Sequence, residues 1–375
     1  MASLDKAIEA TPRGPSSSSP STYVYSVFLS PSWNVLYVPH GGYLLSIITS
    51  AALKHQATHA PPFAPHKDPA HLSSQFLTPS VAGKAEVEIQ AVSVTKNWTR
   101  LNVELWQWTP KPDDNNLSNP EAKRVLRISA HFLLTTLPPS PSPGPITAAS
   151  LGSAAANVNY LDMPCPLLEH PASIDMSDGG TPVGPKLQLM PGIKWKEVKI
   201  EKRSDGALAW GGWMELNNGE DLRRSAALIG FFADVAKTGA EMLFPDGSLP
   251  LQDRFGPFWF PTMTLSLDFK AAFPLLTSSS SAASGPASRT FGIYSSTKVV
   301  RDGRHDLTVE VWSAPANLGE RAQEKASEYE QSEDGVERWR REGSRLLAVG
   351  TQMALCVPIA VNLAKNGDKK KEAKL

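Results

Sequence analysis

Cysteine is nearly absent. Cys165 and Cys356 are the only two in 375 residues, far apart and in no CxxC or Cys/His ligand spacing. That excludes a disulfide framework and a zinc ribbon, and it fits a reducing compartment. An excess of one charge is missing as well, with 37 basic residues against 37 acidic, so neither nucleic acid nor an anionic membrane is expected as the main partner. No stretch reaches the 18 apolar residues of a membrane span, and the opening MASLDKAIEATPRG carries acidic residues and no apolar run; secretion and membrane insertion are not expected. Also lacking are a GxSxG nucleophile elbow, a GxxxxGK[ST] phosphate loop and a GxGxxG dinucleotide turn, which sets aside the chemistries they serve. His59, His66 and His71 share a Pro-rich stretch, where solvent exposure is expected and a metal is not.

The chain does hold one unusual helix candidate, Ser225 to Leu243, apolar on every face from Ala226 to Ala236 apart from Asp234. A helix apolar all round belongs inside a core, and an ionised carboxylate there costs several kcal/mol, of order, unless it is paired. Catalysis is one reason to keep it. The other is that Gly230 interrupts the helix and Asp234 N-caps a second piece.

Around this helix the sequence repeats itself. After a segment and Ser/Pro linker over residues 1–20, YVYSVFL reads as a half-buried strand, and VPHGGYLLSIITSAALKH as a helix from Gly42 to Lys54. HLSSQFLTP, AEVEIQAVSV, TRLNVELWQW and VLRISAHFLL follow as strands. Residues 139–190 are rich in Pro, Ser and Gly and read as an inter-domain linker packed over the surface. The order then recurs: ALAWGGWMEL, a helix from Leu222 to Met242, TMTLSLDFKAAF, TFGIYSSTKVV, DLTVEVWS and LLAVGTQMALCVP. Leu101 to Trp106 (LNVELW) matches Leu307 to Trp312 (LTVEVW), and the 13-residue difference in spacing equals the Ser/Ala-rich insertion Thr277 to Arg289. The charged stretch Glu320 to Arg345 fits neither half and reads as a solvated surface loop with some helix.

The expected fold is therefore α+β: an N-terminal unit over 21–138 and a C-terminal unit over 191–360, each a long central helix wrapped by an antiparallel sheet, the two joined into one continuous sheet. Registering the halves on the matched strands sets Asp234 opposite Ala51, Thr262 opposite Pro69 and Gln352 opposite His131. A carboxylate, a hydroxyl and an amide converging from one helix and two strands can hold a water and turn it toward an electrophile, with the carboxylate as general base. Thr262 is equally readable as a strand residue with its methyl packed, and Gln352 as a structural hydrogen-bonding group. In the first half, Pro39-His40-Gly41-Gly42-Tyr43 runs into a helix whose free amides suit an oxyanion; a tight strand-to-helix turn explains the glycines as well.

HGGYLLSIITSAAL, HLSSQFLTP, the FFADVAK helix and LLAVGTQMAL, in that order and spacing, resemble the acyl-CoA thioesterase II type of the double-hotdog thioesterase-like superfamily, over residues 20–138 and 190–360, and the Pro/Ser-rich insertions resemble its filamentous-fungal members. The resemblance implies a double hotdog that hydrolyses a fatty or polyketide-like acyl-CoA. Asp234, Thr262 and Gln352 fall on its water-orienting positions; the Gly42 and Tyr43 amides at the start of the first helix are, on the reading above, expected to face the thioester carbonyl. Pro261 directly before Thr262 departs from the pattern and leaves Thr264 as an alternative hydroxyl. It implies no metal or other cofactor, coenzyme A entering as part of the substrate, and it leaves homo-oligomerisation open. A non-hydrolysing acyl-CoA or biosynthetic-intermediate binder is the alternative; a hotdog hydratase or dehydratase is less expected, since no His is near Asp234 in sequence. The polar tail 361–375 ends Ala373-Lys374-Leu375, a variant of the Ser-Lys-Leu address, so a peroxisomal import receptor is an expected partner and the peroxisome the expected location, the cytoplasm otherwise.

Overall fold

A computed structural model of the chain describes residues 3–109, 123–137, 163–176, 193–216, 221–238, 258–275, 286–320 and 332–358. The Ala373-Lys374-Leu375 address and the rest of the 361–375 tail lie outside the described residues. No helix is long and apolar enough to cross a membrane, among the described residues.

The first half contains α1 (Leu4–Ala7), β1 (Thr11–Pro15), β2 (Thr22–Leu29), the small hairpin β3 (Asn34–Val35) and β4 (Val38–Pro39), α2 (Gly41–His59), β5 (Asp68–Phe76), β6 (Gly83–Val94), β7 (Thr99–Thr109) and β8 (Lys123–Thr135). The second contains β9 (Ile193–Lys202), β10 (Leu208–Leu216), α3 (Ile229–Asp234), β11 (Phe258–Trp259), β12 (Thr262–Phe269), β13 (Thr290–Thr297), β14 (Val300–Arg301), β15 (Arg304–Ser313), α4 (Glu333–Arg338), β16 (Leu346–Leu355) and β17 (Val357–Pro358). Thirteen strands form one sheet in the order β1-β2-β6-β7-β8-β5-β12-β16-β15-β13-β10-β9, with β14 beside β15. Every pairing in it is antiparallel. The order reads the same from either edge toward the β5·β12 seam, so the chain is a duplication. Each half alternates apolar residues toward the helices, such as Val87, Ile89, Leu101 and Val103 in the first and Ile293, Leu307, Val309 and Val311 in the second, and these share one core with α2 and α3.

The second helix is not long. Among the described residues it is the six-residue α3, preceded by two separate 3₁₀ turns because Asp221 and Ser225 each accept from the amide two residues on, and Ser225 is extended. After Asp234 the backbone is drawn to the sheet: Ser295 Oγ donates to the Lys237 carbonyl, and Lys237 Nζ pairs with Glu197 at 2.6 Å. The N-terminal segment ahead of the Ser/Pro linker joins the fold: Leu4, Ile8 and Ala10 are buried in the core and β1 extends the sheet. Its Pro12 and Pro15 mask it as a strand in sequence, and an edge is where a sheet tolerates them.

On the outer face of the second half, residues 163–176 pack over the sheet as expected and 333–343 is helical, but the latter is not wholly solvated: Cys165, Leu167, Ile174 and Trp339 form a second buried cluster with Trp213 and Trp312. Trp213 Nε1 donates to the Glu169 carbonyl at 2.8 Å, and Arg340 Nε to that of Cys165 at 2.6 Å. Leu167 occupies the space left by Gly211 and Gly292, where an added Cβ would lie 2.5 and 3.1 Å from it. Isolated apolar anchors such as Leu167 and Trp339 inside polar stretches carry no period, which is why the sequence hides this strap.

Candidate active site

The two helices pack against each other at glycines. A Cβ on Gly42 would stand 2.7 Å from the Gly230 carbonyl and 2.8 Å from Asp234 Cβ, and one on Gly230 would stand 2.9 Å from Leu45 Cβ. This reciprocal contact aligns Gly42–Ser46 with Gly230–Asp234, so the first-half counterpart of Asp234 is Ser46 and not Ala51. Pro69 is the counterpart of Thr262, as expected: each lies near the start of its strand beside the seam at a bulge, Pro69/His71 against β8 and Thr262/Thr264 against β16. Gln352 is paired with Leu265 and Leu307, and Phe132 with the equivalent Leu72 and Leu101. The counterpart of Gln352 is therefore Phe132; His131 faces outward and bonds Asn102. A slip of one residue moves a side chain to the other face of a sheet.

The structure brings Asp234, Thr262 and Gln352 together from α3, β12 and β16. Thr262 Oγ1 donates to Asp234 Oδ1 at 2.8 Å and lies 3.1 Å from Gln352 Oε1, its single proton shared between two acceptors. Gln352 is 8% exposed, and the bonds above leave its Nε2 for another partner. The bulge after Thr262 turns its side chain inward with Leu265, whereas Thr264 faces solvent, which removes Thr264 as the alternative hydroxyl. Met263 and Thr264 are the pair by which the strand resumes its alternation.

Asp234 is also bound from the first half. The Gly42 amide donates to Oδ2 at 2.6 Å, and Gly41 must lack a side chain because its Cβ would fall 2.6 Å from that oxygen. Asp234 thus does not cap a second piece of its own helix, as the alternative reading had it; its side chain instead meets the N-terminus of the other half's helix, with its charge at the positive end of a 19-residue dipole. Burial raises the Asp234 pKa above its ordinary value, against the opposing pull of His40, Thr262 and the Gly42 amide. The Gly42 amide, expected to face a thioester carbonyl, is taken by the carboxylate. The Tyr43 side chain is structural: its hydroxyl accepts from the Ser30 amide and donates to the Ala7 carbonyl.

One neighbour was missed. His40, N-cap residue of α2, places Nε2 3.7 Å from Asp234 Oδ2, so a His does stand near Asp234, supplied by the other half of the chain. Its signal in the sequence was adjacency to the glycine pair. His66, expected exposed, is buried and bonds Thr99 and the Lys96 carbonyl; His71 instead pairs with Asp268 across the seam at 2.8 Å.

Two family descriptions match the chain, "Acyl-CoA thioesterase N-terminal domain" over residues 29–133 and "Acyl-CoA thioesterase C-terminal domain" over residues 185–318. Among solved structures, a candidate thioesterase II of Thermobifida fusca YX is 17% identical with a TM-score of 0.58, covering 95% of this chain and 99% of that one. A conserved protein with a hot dog fold from Alicyclobacillus acidocaldarius is 14% identical with a TM-score of 0.56, covering 95% and 98%. At these identities the likeness shows the fold: this is a hot dog architecture. A curated relative, the ustilagic acid biosynthesis cluster protein orf2 of Mycosarcoma maydis, is 33% identical over 88 residues, which span 23% of this chain and 22% of that protein's length.

Proposed function

The chain belongs to the acyl-CoA thioesterases, a family of thioester hydrolases whose N- and C-terminal domain descriptions it matches in order, and on that premise we propose that it hydrolyses a fatty or polyketide-like acyl-CoA to free acid and coenzyme A by direct attack of water. The observation that carries this reading is the contact of Thr262 with Asp234 and Gln352, 28 and 90 residues away in the chain. Asp234 is the general base: a buried carboxylate held by a hydroxyl and an amide, its pKa raised toward the range where a base works best. Thr262 and the Gln352 amide hold the water against it. The water oxygen attacks the thioester carbonyl carbon as its proton passes to Asp234; the C–S bond then breaks, and the thiolate recovers the proton as free coenzyme A. With the Gly42 amide on Asp234, the Tyr43 amide next along the helix is the donor assigned to the oxyanion.

Release of free thiol from a panel of acyl-CoAs tests the reading. The curated relative named for an ustilagic acid cluster puts biosynthetic acyl groups in that panel beside fatty ones. Wild type should release coenzyme A, and Asp234→Asn should lose about 100- to 10,000-fold in kcat while still binding the substrate. A protein that binds acyl-CoA without releasing thiol would be the binder instead. Because His40 restores the Asp/His proximity that a hydratase needs, 2-enoyl-CoA belongs in the panel, with loss of the enoyl absorbance and no thiol release marking hydration.

A further inference from the structure

His40 does not behave as an ordinary buried histidine. Its side chain is 10% exposed, yet no hydrogen bond of the ring is formed among the described residues, and Nδ1 is fully buried with no partner. A structural histidine is kept for the bonds its two nitrogens make; His66, with both nitrogens bonded, is the example in this chain. The polar contact that His40 does make is with Asp234 Oδ2 at 3.7 Å, within ion-pair range and longer than a hydrogen bond. Its position is fixed from three sides. The backbone amide bonds the Trp33 carbonyl at 2.9 Å, the carbonyl accepts from Leu44 to start α2, and the ring packs on Phe231, one turn before Asp234, at 5.4 Å.

We propose that His40 is a positioning residue for the catalytic carboxylate: its Nε2–H, contributed by the first half, faces Oδ2 and fixes Asp234 in the orientation and ionisation that activate water. The proposal rests on the thioesterase reading for its kinetic arm only. Three further groups meet the carboxylate, the Gly42 amide from α2, Thr262 from β12 and, through Thr262, Gln352 from β16. None of these titrates. His305 on β15 is the next histidine, facing Ala354, the residue across from Thr262. Burial keeps His40 from protonating, as its lowered pKa indicates, so at neutral pH the imidazole acts as a neutral donor. Catalytic contacts of this kind are often long before substrate closes the site.

Two variants separate positioning from packing. His40→Leu keeps the bulk against Phe231 and removes the donor, whereas His40→Gln keeps an N–H. In His40→Leu, kcat on an acyl-CoA hydrolysed by wild type should fall about 10- to 100-fold, the usual range for loss of an orienting partner, with KM little changed and the acid limb of the pH–rate profile moved to higher pH. His40→Gln should recover most of the rate. A direct carbon-13 titration of the Asp234 carboxyl, assigned by its absence in Asp234→Asn, should show the same upward movement in His40→Leu and does not depend on the substrate being right. An Asp234 titration and an acid limb both unchanged in a folded His40→Leu would overturn the proposal. So would a His40→Gln as impaired as His40→Leu, and if His40→Leu fails to fold, the rate and titration of His40→Gln against His40→Ala decide in the same way. If wild type hydrolyses no acyl-CoA, the thioesterase reading fails while the carboxyl titration still judges His40.

Discussion

The two halves share strand order, a bulge in the same place and a glycine at the same helix contact, yet one holds Asp234, Thr262 and Gln352 where the other holds Ser46, Pro69 and Phe132. A duplicated scaffold thus carries one polar constellation and, at the equivalent positions, a serine, a proline and a phenylalanine. Phe132 is buried in the core and Pro69 has no side-chain donor; a serine is a shorter and much weaker base than a carboxylate. The outer faces diverge in the same direction. In both halves a Trp indole donates to a Glu two residues before it, Trp106 to Glu104 at 3.0 Å and Trp312 to Glu310 at 2.9 Å. Trp312 is sealed beneath Leu167 and Trp339, whereas Trp106 remains half-buried with the Arg124 guanidinium 4.3 Å above its ring. Duplication supplied two equal frames, and the second was both armed inside and reinforced outside.

The sharpest way to break this contrast is to remove the polar groups one half at a time. Thr262→Val and Gln352→Leu should each lower kcat about 100-fold, on the scale of losing one oriented hydrogen-bonding group in an active site. Ser46→Ala and His131→Ala should leave turnover unchanged, measured as steady-state coenzyme A release. A loss in Ser46→Ala comparable to that in Thr262→Val would mean that both halves turn over substrate.

Stability offers the next contrast. Trp312→Ala should cost about 3–5 kcal/mol, as for a large side chain removed from a closed core, and Trp106→Ala about 1 kcal/mol, as for an average substitution. Urea unfolding followed by tryptophan fluorescence would measure both, and equal costs would show that the strap over the second half does not seal it.

The smallest effect concerns the buried carboxylate. A carboxyl whose pKa rises on folding leaves the folded state binding protons more tightly than the unfolded chain. Its stabilising contribution is therefore whole below the unfolded value near 3.8 and is lost as pH rises through the raised folded value. Asp234→Asn should accordingly be as stable as wild type or more so at neutral pH, with the margin shrinking as pH falls toward the unfolded value. Thermal unfolding across that range would check it, and a variant that loses stability at neutral pH but not in acid would reverse the sign.

Much of this was legible beforehand for a physical reason. Strands with period-two alternation and the LNVELW/LTVEVW repeat give the sheet and its duplication, because each strand has one face in the core. The convergence of Asp234, Thr262 and Gln352 was legible as three polar groups in apolar surroundings. What stayed hidden depends on contacts between segments far apart. Whether His131 or Phe132 answers Gln352 is set by strand pairing to Leu72 and Leu101, and the register of the two helices by the Gly42·Gly230 contact between the halves. The stretch into Asp234 reads as continuous helix because propensity does not show that Asp221 and Ser225 accept from the amides two residues on, of Arg223 and Ala227. His40 could not be placed by local pattern, since its partner lies 194 positions on in the chain (234 − 40).

The hydrogen bond from the Gly42 amide to Asp234 also ties the surroundings of one half to the presence of the other. Separate the halves and Asp234 loses that amide and its imidazole neighbour together, keeping Thr262 from its own half. An unfinished chain, or one with a single half folded, would carry the carboxylate without its first-half partners. Under the mechanism proposed above, hydrolytic competence would then begin at the docking of the halves.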